Sequence, residues 1–205
     1  MTTSQPSPAA QRAPIAPGSG IADPAPLGLA AFALTTFVLS CVNANLVDAT
    51  VEPVMFGLAL GYGGIIQIAA GLWEFAKGNT FGATAFCSYG GFWLSFWWLT
   101  GHTDLTGASE DDAAKGIGVY LLAWGIFTLY MSVAASRVSL AVLGVFVFLT
   151  LTFFVLAIGE FATSDGWHKF GGWLGLVTAF VAWYASFAGV TNFTFKRIVL
   201  PTGPR

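Results

Sequence analysis

Six long apolar runs, 27–46, 53–75, 81–100, 116–135, 138–161 and 170–191, carry only two ionised side chains inside them, Glu74 and Glu160. A run of about 20 apolar residues is the length of a helix across a bilayer. Barrel strands would be half as long and would alternate. Charged residues make up 9% of the 205-residue chain, against roughly 25% in soluble domains, so there is too little charge to cover a water-facing surface. The reading is an all-α polytopic membrane protein of six transmembrane helices. Short links make sequence neighbours antiparallel neighbours in space.

Charge sets the orientation. With six spans both termini share a side, and Arg12, Lys77, Arg137, Lys196, Arg197 and Arg205 lie on it. The opposite side has Lys115 and Lys169, with Asp48, Glu52, Asp104, Glu110, Asp111, Asp112 and Asp165. The positive-inside rule places both termini in the cytoplasm. Residues 1–22, rich in Pro, Ala, Ser and Gly, read as a disordered N-terminal tail and not as a secretory signal. Residues 23–192 form the six-helix domain, and 193–205 a basic cytoplasmic tail suited to lipid headgroups or a partner.

Cys41 and Cys87 fall inside apolar runs and read as free thiols; no metal site or cofactor is expected. His102 and His168 fall in predicted outer loops with no nucleophile–base constellation around them, so the chain does not read as an enzyme. No nucleic-acid partner is expected.

The first span opens with "DPAPLGL". Asp23 reads as a helix N-cap and Pro24 as the first helical residue, where the missing N–H costs nothing. "PLGLAAF" from Pro26 is echoed 54 residues later by "TFGATAF" from Thr80, where Asn79 or Thr80 would cap. Gly57, Gly61, Gly64 and Gly71 in span two, and Gly171, Gly175, Ala179, Ala182 and Ser186 in span six, form small-residue faces for close helix packing. Thr84, Ser88, Gly91 and Ser95 share one face of span three, and Phe32, Thr36, Leu39 and Asn43 one face of span one. Such hydroxyls either bond their own backbone or present neutral donors to a passing anion. Gln67 faces a pore or bonds a neighbouring helix. Glu74 reads as an acid reaching the interface. Glu160 is the stronger of the two as a proton-coupling group, with snorkelling to water as the alternative.

The signature "DPAPLGL", with "ALTTFVLS", "GGIIQIAAGLWEFAKGNTFGATAFCSYGGFW" and "LAIGEF", resembles the acetate uptake transporter family, the succinate–acetate permeases whose signature is "NPAPLGL". The resemblance covers nearly all of 23–200, with Asp23 standing where the family has Asn; Pro24, Ala25, Pro26, Leu27 and Gly28 match. It implies passage of acetate, and of succinate and related small carboxylates, by proton symport or as an anion channel. It also implies a homohexamer in the cell membrane lipid, each protomer with its own pore. By motif, the resemblance puts a Phe–Tyr–Leu constriction at Phe32, Tyr89 and Leu149. A sensor of short carboxylates without transport is the other reading.

Overall fold

A computed structural model describes residues 20–205; most of the predicted N-terminal tail lies outside them. The first span is α1 (Ala25–Asn43). The second is compound: a 3-10 turn (Ala49–Met55), α2 (Phe56–Leu60), a π-helical segment (Gly61–Ile66) and α3 (Gln67–Lys77). Then come α4 (Thr80–His102), α5 (Glu110–Ala135), α6 (Leu140–Ala162) and α7 (Asp165–Phe195). These make the six predicted spans. Five of them are long and apolar enough to cross a membrane on composition alone. The sixth, α4, spans 23 residues but is diluted by Gly, Ser and Thr.

Local chemistry sets the ends. α1 starts one residue later than the sequence predicts: Pro24 is the cap, and Asp23, just outside, still accepts the Ala25 N–H at 3.1 Å. Asn79 caps α4 as expected, accepting the Gly82 N–H at 3.1 Å. Gly78, with φ of 85°, closes α3 in the left-handed conformation that glycine adopts without strain. Ser109 caps α5, whose first turn carries Glu110, Asp111 and Asp112 at its positive end.

The spans close into a ring. α1 packs on α7, α7 on α6, α6 on α5, and α3 on both α4 and α1. Side-chain bonds from Tyr89 to Thr128 and between Ser95 and Tyr120 join α4 to α5. The odd-numbered spans, α1, α4 and α6, face the centre. Glycines set the close approaches: a Cβ on Gly172 would overlap the backbone of Asn43 and Ala44, and one on Gly175 the Ser40 hydroxyl. Ser186 Oγ donates to the Pro26 carbonyl at 2.6 Å.

Two predicted faces are rearranged. In span two, Gly57 and Gly61 face open space, while Gly64 and Gly71 pack on Leu94 and Cys87 of α4 and Gly63 packs on Thr35 and Trp93. The π segment widens the turn and shifts the helix phase, so the four glycines do not share a face. On α7, Gly171 packs on Leu156 of α6 and not with Gly175 against α1.

The C-terminal segment is docked. α7 runs to Phe195, beyond the predicted boundary, and the chain then doubles back onto α6. The carbonyls of Gly203 and Thr202 accept the Leu140 and Ala141 N–H groups at 2.9 and 3.0 Å. Tyr184 Oη donates to the Pro201 carbonyl at 2.6 Å, and Asn192 bonds the backbone of Val199 and Leu200. The first-turn amides of a helix lack intrahelical partners, and this segment supplies them to α6.

Candidate functional site

Two cavities lie on the ring axis. The near cavity, at the end that carries Asp23 and Arg205, measures about 70 Å³. The far cavity measures about 270 Å³. Phe32 and Leu149 line both, and Tyr89 lines the near one. All three side chains are buried. The Phe32 and Tyr89 rings are 5.7 Å apart, and the Phe146 ring of α6 lies tilted against Tyr89 at 5.9 Å. The three residues that the resemblance names therefore meet where the cavities are divided. The Tyr89 hydroxyl donates to Thr128 Oγ1 at 2.9 Å, and Thr128 donates on to the Trp124 carbonyl. With that proton engaged, Tyr89 offers the cavity its ring and not a free donor.

Gln67 lines the near cavity, wholly buried, with neither side-chain polar atom hydrogen-bonded. Thr36 and Asn43 line the far cavity, and the buried Thr36 hydroxyl also lacks a partner. Thr84 and Ser88 line neither cavity. The face of α4 turned to the axis carries Gly82, Ala85, Phe86, Tyr89, Phe92 and Phe96, roughly a quarter turn away from the hydroxyl row.

The signature residues build the helix start. Ala25 lines the near cavity, Gly28 gives the Phe86 ring its place, and the Pro26 carbonyl takes the Ser186 bond. Leu27 is exposed on the outer surface. Asp23 pairs with Lys77 Nζ at 2.7 Å, a partner 54 residues away, at the same spacing as the sequence echo. The pair is partly exposed, so it contributes at most about 1 kcal/mol. Asp23→Asn should leave folding unchanged within that margin and free Lys77 at the mouth. Acetate flux at low salt should then be equal or higher; a loss of flux at normal expression would show that the Asp23 carboxylate acts directly.

Glu74 does not reach the interface, contrary to the sequence reading. Its side chain is wholly buried, with Oε2 accepting from Asn79 Nδ2 at 2.8 Å and Oε1 unpartnered. The carboxyl sits against Gly82 in the first turn of α4, whose positive dipole end favours an anion. The α3–α4 hairpin covers the helix end from which Glu74 would otherwise reach water. Glu160 lines the far cavity.

His168, expected in a loop, lies in α7 and points into the far cavity, with Nε2 3.8 Å from Glu160 Oε1. Only Thr163 and Ser164 join α6 to α7, and this tight link brings residues eight apart together. The signal was an acid and a histidine flanking "TSDG", and it is legible only once both are placed on helices. Glu52, Trp93 and Asn79 also line the cavities; the sequence reading has Asn79 only as a cap and Glu52 only among the outer acids, and does not name Trp93. Among the described residues no cluster of His, Cys, Asp and Glu could hold a metal ion.

The pattern described as the GPR1/FUN34/yaaH family matches residues 5–204. The chain is 49% identical over 185 residues to Accumulation of dyads protein 2 of Saccharomyces cerevisiae, covering 86% of this chain and 64% of that protein. It is 43% identical over 194 residues to Acetate permease A of Emericella nidulans, covering 88% and 65%. It therefore spans just under two thirds of these fungal relatives' own length. Against the Succinate-acetate/proton symporter SatP of Escherichia coli, identity is 41% over 183 residues, covering 89% of this chain and 96% of that one. The solved structure of the bacterial acetate channel SatP superposes with a TM-score of 0.82 at 41% identity, covering 89% of this chain and 99% of that chain.

Proposed function

The chain belongs to the GPR1/FUN34/yaaH family, and on that premise we propose that it carries acetate, and succinate and related small carboxylates, across the cytoplasmic membrane. The path in each protomer runs through the near cavity, past Phe32, Tyr89 and Leu149, and out through the far cavity. It is a multi-pass membrane transporter and not an enzyme.

One observation carries this reading: an apolar division with an unpartnered, buried polar side chain on each side of it, Thr36 beyond and Gln67 before. A buried polar group without a partner is costly, and a carboxylate accepting from each in turn relieves that cost. Ring edges carry partial positive charge, and the methyl end of acetate needs apolar walls. No Lys or Arg lines either cavity, so no fixed positive charge traps the anion.

A carboxylate is almost wholly ionised at pH 7. An inside-negative potential opposes its entry by about 2.3 kcal/mol per 100 mV, so net uptake needs accompanying protons or a gradient. Six protomers form the working assembly, on the family resemblance. The near cavity opens to the cytoplasm, on the distribution of Lys and Arg.

Labelled acetate flux into proteoliposomes tests the reading; flux no greater than in protein-free vesicles would refute it. Reporter fusions test the orientation. One placed after Arg205 should report cytoplasm, and one placed within 102–115 the exterior; the same compartment for both would overturn the assignment.

A further inference from the structure

The far cavity holds more than a neutral path requires. Glu52 from the 3-10 turn, Glu160 from α6 and His168 from α7 all line it. The remaining elements around it, α1, α4 and α5, contribute only uncharged side chains such as Asn43, Thr100 and Leu121. Gly159 leaves the space that the His168 ring occupies beside Glu160; a Cβ there would stand 3.0 Å from the ring. The cavity thus joins two carboxylates and an imidazole in a place where an anion has to pass.

A second observation points to a ligand. Five buried helical threonines, Thr35, Thr128, Thr150, Thr152 and Thr178, each donate to the carbonyl four residues back. Thr36 does not. Its hydroxyl is buried, unpartnered and one turn beyond Phe32, in the wall of the far cavity. A hydroxyl that forgoes the bond its neighbours make is available to an acceptor from outside the chain.

We propose that the far cavity is a proton-dependent carboxylate-binding site, in which Thr36 donates to the anion while Glu160, beside His168, holds the accompanying proton. The proposal rests on the transport reading above. With Glu52 and Glu160 both ionised the cavity repels a carboxylate, and a protonated His168 offsets only one of the two charges. A proton taken up by Glu160 from the far side removes one negative charge and turns an acceptor-only group into a donor. The proton returns to solvent when the site empties, so the group cycles without net change.

Binding of labelled acetate to the purified full chain at pH 5.5 and 7.5 tests this, since acetate stays mostly ionised at both. Wild type should bind several-fold tighter at pH 5.5, up to about tenfold, the ceiling that a one-unit rise in the proton-holding group's pKa on binding allows. Glu160→Gln, permanently neutral, should bind at both pH values with constants within about twofold of each other. His168→Gln should shift the pH dependence, and Thr36→Val should weaken binding at both pH values while keeping their ratio. A wild-type pH ratio in Glu160→Gln, or unweakened binding by Thr36→Val, overturns the proposal. So does equal binding by wild type at the two pH values. Acetate flux measured in parallel separates the two failures: flux without the predicted pH behaviour sinks this inference alone, and absent flux sinks the transport reading.

Discussion

Leu149→Ala will merge the two cavities and raise the flux of lactate relative to acetate by roughly tenfold or more, the scale on which apolar pockets discriminate by a methylene or two. Leu149 is the suitable member of the division to remove. Phe32 packs tilted against the Tyr89 ring, and Tyr89 is held by the bond to Thr128, so truncating either disturbs its neighbours. Leu149 faces a cavity on both sides, and its loss should cost less than the roughly 2–5 kcal/mol of a Leu→Ala change in a filled core. The readout is the lactate-to-acetate flux ratio in proteoliposomes, which cancels differences in expression. If both substrates change by one factor, Leu149 is packing and the division lies elsewhere.

Gly172→Ala should destabilise the protein by about 3 kcal/mol, the upper end of the usual overpacking range. The added methyl would overlap main-chain atoms of Asn43 and Ala44 at the end of α1. A side chain in that position could rotate away; a helix backbone can yield only by moving all of α1 off α7. Gly57→Ala is the paired control. Its methyl points into open space, and helix propensity favours alanine there by up to about 1 kcal/mol. Thermal unfolding in detergent should show a large drop for the first and none for the second. Similar melting of Gly172→Ala and wild type would mean that α1 and α7 are not packed this closely.

The contrast between these glycines bears on what a sequence reveals. All of them look alike in the chain, and helical spacing alone puts Gly57, Gly61, Gly64 and Gly71 in one stripe. One π turn at Gly61–Ile66 rotated half of that stripe away from α4. Thr84 and Ser88 share a helical face that reads either as backbone-bonded hydroxyls or as donors on a path, and only the fold shows that α4 turns its aromatic face to the cavities instead. Glu74 looked like an acid at a helix end because the covering α4 hairpin is a tertiary feature. His168 reads as a loop residue because it lies outside the apolar run 170–191, whereas the two-residue turn after α6 starts α7 already at Asp165.

The six spans, the Asn79 cap of α4 and the antiparallel order of the spans were determined by the sequence alone. In lipid every backbone N–H and C=O must be satisfied within its own segment, so span length and capping chemistry are written locally and can be read locally. The rotation of each helix about its axis, the pairing of Asp23 with Lys77, the unpartnered hydroxyl of Thr36 and the meeting of Glu160 with His168 were decided only by the tertiary structure. Lipid is as apolar as the helices, so hydrophobicity does not choose which face turns inward. That choice falls to contacts between distant residues, such as Gly172 against the backbone of Ala44, and such contacts exist only once the ring has closed.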